Sequence, residues 1–165
     1  MDATSTVKTV LITGCSSGIG FCLAHGLRSA GYRVFATARK EKDIIKLKEL
    51  GFEVFLLDLA SSSSIKTAIS ELYQKTDSLY ALINNGAYGQ VGALEDISRE
   101  TLEKQFQVNV FGWHELTNLV LQSMKERNIG RVVYISSVLG FVAMPFRGPY
   151  VASKFAIEGL VDTLR

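Results

Sequence analysis

The stretch VKTVLITGCSSGIG (7–20) decides how this chain folds. Its first half, VKTVLIT (7–13), is short, apolar and β-branched, as expected of a strand buried on both faces. Its second half, TGCSSGIG (13–20), sets Gly14, Gly18 and Gly20 ahead of a segment with helical periodicity. A strand that turns on glycines into a helix leaves unpaired N–H groups and a positive dipole end at the turn, which suits an anion. The spacing is G-x-x-x-G-x-G, distinct from the G-x-G-x-x-G fingerprint. An ordinary glycine-rich turn is the plainer alternative.

Outward from that stretch, apolar runs of strand length alternate with helical patterns. YRVFAT (32–37), FEVFLL (52–57), YALIN (80–84) and RVVYIS (131–136) read as buried strands. Helical patterns fall at about 18–30, 41–50, 62–76 and 99–127, and a last one opens at 149–150. Such alternation predicts an α/β fold: a doubly wound parallel sheet of order 3-2-1-4-5, with helices on both faces. The segment ASSSSIK (60–66) reads as a loop entering a helix N-cap. Ligands of such sheets bind beyond the carboxyl ends of the strands. The unusual residues of this chain collect there: TGCSSGIG, Arg39, Asp58, NNGAYG (84–89) and Ser136–Ser137.

The second run ends ATARK (36–40), where a carboxylate would hold the ribose 2′-hydroxyl of NAD. Arg39 and Lys40 stand there instead, and a guanidinium binds a 2′-phosphate where a carboxylate repels it. This favours NADP(H) over NAD(H), against the alternative of a solvated basic turn. Near the end, GPYVASKFAIEG (148–159) opens a helix at Pro149. Tyr150 and Lys154 are then i,i+4 neighbours on one face. A surface pair in which the lysine stem covers the ring is the bland reading. Beside a nucleotide site the chemical reading is stronger: a phenol needs about three pH units of acidification to exchange protons near neutrality. One ammonium at about 4 Å supplies roughly the required 4 kcal/mol.

Together TGCSSGIG, INNGA (83–87), VNVFG (108–112), ISSVLG (135–140) and YVASK (150–154) resemble the short-chain dehydrogenase/reductase family, in the family's order. The resemblance covers residue 7 to the end, and YVASKFAIEGLVDTLR is most similar to steroid- and retinoid-type members. It implies an oxidoreductase that interconverts an alcohol and a carbonyl compound by hydride transfer. Tyr150 would be the general acid or base, and Lys154 would acidify it and hold the nicotinamide ribose. Ser137, thirteen residues before Tyr150, would hydrogen-bond the reacting oxygen, and Asn109 would order a water for proton relay. If the strand persists to Ser136, that side chain points the other way. The cofactor would lie along Gly14, Ser16, Ser17, Gly18, Ile19, Gly20, Arg39, Asp58, Asn85, Gly86, Tyr150 and Lys154. Asp58 would contact the adenine and Asn85 would lie beside the adenosine.

Composition limits the alternatives. The chain has 165 residues, 47% hydrophobic and 21% charged, with a net charge of +2. One domain, 1–165, is expected, without an electrostatic case for nucleic acid or anionic membrane. Cys15 and Cys22, like His25 and His114, lack metal-ligand spacing, so no metal is expected. MDATSTVKTVLITG does not read as a signal peptide and no run is long enough to span a bilayer, so a cytoplasmic protein is expected.

Two departures from the family pattern stand out. Asn84-Asn85-Gly86-Ala87 replaces Asn-Asn-Ala-Gly, and Ala87 would be strained by about 1–2 kcal/mol if left-handed. The last helical pattern (Ile157, Leu160, Val161, Leu164) stops at Arg165, whereas family members continue into two further strands and a substrate-covering loop. RVVYIS is therefore expected to form an apolar sheet edge, in a dinucleotide-binding domain lacking its C-terminal strands. Binding without turnover is then an alternative function. A third is an interaction role: helix 99–127 is apolar on several faces, and family members dimerise through it and the helix at 150–165. VLGFVAMPFRGP (138–149) would give an apolar carbonyl compound or alcohol a pocket wall, or would pack under its own side chains.

Overall fold

The computed structural model describes residues 7–164. The expectation for a leader falls on residues 1–6, and that for the chain end on Arg165, outside the described residues. Strands β1 (Thr9–Ile12), β2 (Arg33–Ala38), β3 (Glu53–Leu56), β4 (Ala81–Asn84) and β5 (Arg131–Tyr134) form one parallel sheet in the order β3-β2-β1-β4-β5. Between them run α1 (Gly18–Ser29), α2 (Glu41–Glu49), α3 (Ser62–Lys75), α4 (Arg99–Phe106) and α5 (Trp113–Glu126), and α6 (Gly148–Leu164) follows β5.

Alternation along the strands divides the core into two layers. Leu11, Phe35, Phe55 and Leu82 pack toward α3, α5 and α6, with Leu72, Trp113, Leu116 and Ile157. Val10, Ile12, Ala36, Val54 and Ile83 face α1 and α2, with Ala24, Ile44 and Leu47. At the start of α3, the Ser61 hydroxyl accepts from the Ser64 N–H at 3.3 Å, the expected N-cap. No helix among the described residues is long and apolar enough to cross a membrane.

One expectation is corrected, and of the two readings of RVVYIS the apolar sheet edge is the one observed. Residues 99–127 are not one α-helix: Gln107–Gly112 widens into a π-helical segment between α4 and α5. RVVYIS is not buried like the other strands, because no neighbour covers its outer side among the described residues. Arg131 and Val133 are exposed, Val133 by 42%. A groove of about 930 Å³ runs beside it, walled by Met124, Ile129, Val132, Tyr134 and Val161. Of the last apolar pattern, Ile157 is buried while Leu160 and Leu164 are exposed.

Exposed apolar edges template association. Val133→Lys is expected to reduce self-association, measured by light scattering, with stability changed by no more than about 0.5 kcal/mol.

Candidate active site

The site begins where two backbones touch. Gly14, at φ 71°, lies so close to the β4 loop that a Cβ there would sit 2.6 Å from the Gly86 Cα. Thr13 fixes the approach: its hydroxyl oxygen accepts from the Asn85 and Gly86 N–H groups, both at 2.8 Å. The Asn85 amide donates to the Thr13 and Gly14 carbonyls at 2.9 and 3.2 Å. A side chain at Gly20 would overlap the Gly14 carbonyl, so α1 starts hard against the turn. Ser17, the N-cap of α1, gives no side-chain cap, and the space beside Gly18 is open. The helix N-terminus therefore offers its N–H groups to an anion, and these residues fit a dinucleotide phosphate.

Two neighbouring cavities open along the carboxyl edge. One, about 160 Å³, is lined by Gly14 and Ser16 from the β1 end, Arg39 from β2, Asp58 from β3, and Gly86–Tyr88 from β4. Arg39 is exposed there, and its charge acts on the Tyr88 phenol, whose pKa burial raises and Arg39 lowers. Asp58 accepts from the Ala60 N–H at 3.0 Å. The second cavity, about 430 Å³, is bounded by Ile19, Asn85, Ala87–Gly89, Ile135, Ser136, Leu139, Arg147, Tyr150 and Lys154. Ala87 and Tyr88 line both.

Tyr150 and Lys154 share this crevice. The Lys154 ammonium lies 5.6 Å from the centroid of the Tyr150 ring and donates to the Ile135 carbonyl at 2.7 Å. Lys154 is 2% exposed. Burial is the main reason its pKa is pushed down to about 8, and the Glu158 carboxylate partly opposes that. A lysine in this range is mostly charged at neutral pH and titrates within reach of it.

Asn109 lies in the π-helical segment, fully buried. Its amide donates to the Tyr88 carbonyl at 2.9 Å and the Ser153 hydroxyl at 3.1 Å, and its oxygen accepts from the Tyr88 N–H at 3.2 Å. Sequence reading missed its partner one turn earlier, Gln105, also fully buried. Gln105 donates to the Tyr88 carbonyl at 2.8 Å and accepts from the Gln90 N–H at 2.7 Å. The two amides clamp residues 88–90, and a Cβ on Gly89 would lie 3.3 Å from the Tyr150 ring. Their i,i+4 spacing was the available signal.

Other expected residues sit differently. The Asn85 side chain is spent on the β1 turn, and Asn85 lines the crevice of Tyr150, not the cavity of Asp58 and Arg39. Ser136 lines the crevice, but its hydroxyl is covered and unpartnered. β5 ends at Tyr134, so strand alternation does not reach the serines. The Ser137 oxygen accepts from the Leu139 N–H at 3.1 Å, which leaves its hydrogen free to donate. Ala87 is not left-handed, so the swapped NNGA order carries no such strain.

The profile of the family described as "short chain dehydrogenase" matches residues 8–165. The chain belongs to this family. It is 45% identical over 159 residues to the uncharacterized oxidoreductase YbbO of Escherichia coli, covering 96% of this chain and 59% of that one. It is 39% identical over 167 residues to human retinol dehydrogenase 8, covering 95% and 53%. Among solved structures, F189W actinorhodin polyketide ketoreductase with NADPH superposes with a TM-score of 0.89 at 30% identity, covering 96% of this chain and 64% of that one. The chain thus spans a little over half the length of these curated relatives.

Because the folded state holds Lys154 at a lowered pKa, it binds fewer protons than the unfolded chain between about pH 8 and 10.5. Stability therefore rises with pH across that window, and the cost of burying the charge is fully felt below it. Lys154→Met is expected to be about 1–3 kcal/mol more stable than wild type at pH 7, with the gap closing above pH 10.5, as read by urea melts. Gln105→Leu should leave the Gln90 N–H unpaired and the Tyr88 carbonyl with the Asn109 amide alone, and cost about 1–3 kcal/mol by the same melts.

Proposed function

We propose that this chain is the nucleotide-binding and catalytic part of an NADP(H)-dependent reductase or dehydrogenase acting on an apolar carbonyl compound or alcohol. The observation that carries the reading is the single crevice holding Tyr150 and Lys154, which shares the walls Ala87 and Tyr88 with the cavity of Gly14, Arg39 and Asp58. The bound nicotinamide would supply or accept the hydride. Tyr150 would pass the proton to or from the substrate oxygen, and the Lys154 ammonium would stabilise the phenolate form. Ser137, with its hydroxyl hydrogen free, would hold the same oxygen. Asn109 would act through Tyr88 and Ser153, keeping loop and helix in register for the proton path. Arg39 would take the 2′-phosphate.

An apolar substrate is supported by the two loops that continue from the crevice residues Gly89 and Leu139. Val91, Leu94, Phe141, Val142, Met144 and Phe146 are exposed, and the Gly92 N–H donates to the Phe146 carbonyl at 3.1 Å, tying the two loops together. Arg147 lines the crevice beside them. The phosphate turn and Arg39 likewise support a second reading, nucleotide binding without turnover. It is favoured by Ser136, which borders both the crevice and the open groove beside β5, leaving the crevice wall unsupported on that side. Exposed Phe111 and Phe155, on the segments expected to pair, support a homodimer, for which sedimentation at high concentration is the test.

In a preparation that oxidises NADPH, Tyr150→Phe is expected to lower kcat by about 100-fold or more, measured by cofactor absorbance. An unchanged rate would overturn the catalytic reading. Arg39→Glu should weaken NADPH binding by about 10–100-fold while affecting NADH far less. Binding that survives Tyr150→Phe with no turnover of any alcohol or ketone in wild type would favour the second reading.

A further inference from the structure

The sole tryptophan of the chain, Trp113, is fully buried at the first position of α5, directly after the π-helical segment. It makes two polar contacts. Its indole N–H donates to the Gly86 carbonyl at 2.8 Å, in the loop whose backbone touches Gly14. Its ring lies under the Lys154 ammonium, 4.4 Å from the nitrogen to the ring centroid. That is closer than the Tyr150 ring, and Lys154 makes its hydrogen bond to the Ile135 carbonyl beside it. A desolvated ammonium over an indole face is a favourable arrangement, stronger than the same contact in water.

We propose that Trp113 is a positioning residue for Lys154, holding the ammonium charged and in place with its ring while its N–H fixes the Gly86 carbonyl. One side chain then ties the lysine of α6 to the loop that seats the phosphate turn. This rests on the proposed reaction only for the purpose the lysine serves; the contact itself is independent of turnover. Among the described residues, the groups that face Lys154 are few. Glu158, on its own helix, is the charge that bears on it, and Tyr150 is the neighbouring titratable group. Tyr134 on β5 reaches Trp113 at 5.9 Å between ring centroids, while its hydroxyl is paired with Thr117. Asn109 and Ser153 are neutral.

The test is a pH titration of tryptophan emission in the folded chain, with Lys154→Met and Tyr150→Phe alongside. Wild type is expected to show a transition centred near pH 8, complete by about pH 9, that Lys154→Met abolishes and Tyr150→Phe retains. A transition that persists in Lys154→Met, or that vanishes in Tyr150→Phe, would overturn the proposal, as would emission flat across that range. A second measurement follows the lysine directly, by side-chain NMR of isotope-labelled protein. Trp113→Leu is expected to lower the apparent pKa of Lys154 by about one pH unit, and Trp113→Phe, which keeps an aromatic face, to recover most of it. Equal values in the two variants would contradict the role. Turnover enters neither measurement, so a chain that titrates this way yet reduces nothing counts against the proposed reaction and leaves the role of Trp113 standing.

Discussion

The arrangement depends on one close approach: the backbone of the β1–α1 turn lies directly on the backbone of the loop after β4. Gly14 and Gly86 leave no room for side chains between them, and the Thr13 hydroxyl and Asn85 amide supply the hydrogen bonds that hold them. Because β1 and β4 are neighbours in the sheet, this contact brings the anion-binding end of α1 beside the loop that continues to Tyr88 and Gly89. The glycine turn and the crevice of Tyr150 and Lys154 are therefore built on a shared seam.

From that seam, polar contacts extend toward the tyrosine. Trp113 takes the Gly86 carbonyl, and Gln105 and Asn109 take the backbone of residues 88–90. Gly89 then meets the ring of Tyr150. Trp113, Gln105 and Asn109 are fully buried, where an unmade hydrogen bond is costly. That cost keeps the geometry, and a burial that disfavours the Lys154 charge is the price of putting an ammonium beside the phenol.

Much of this was legible in the sequence, and the exceptions have identifiable causes. Five short β-branched runs separated by helical periods restrict the fold to a doubly wound parallel sheet once right-handed crossovers are required, and the structure is one, in the expected order. Tyr150 and Lys154 were legible because helical spacing places them on one face. The π-helical segment was not, since a local change to i→i+5 bonding leaves the apolar pattern of 99–127 intact. Gln105 sits in EKQFQ, which reads as a solvated face, and its burial depends on a loop fifteen residues earlier. The use of the Asn85 amide on the backbone of the β1 turn was not legible either, because it depends on a contact across 71 and 72 residues of sequence. The open edge at β5, by contrast, was legible: among the described residues no strand pairs with its outer side, as expected.

The central claim is that this edge of the sheet binds a phosphorylated dinucleotide through the Gly14 turn and Arg39. Calorimetric titration of NADPH into the chain, repeated with NADH, tests it most directly. Saturable one-to-one binding, tighter for NADPH, is the expected result. Absence of saturable heat with either nucleotide, from protein shown to be folded, would contradict the account.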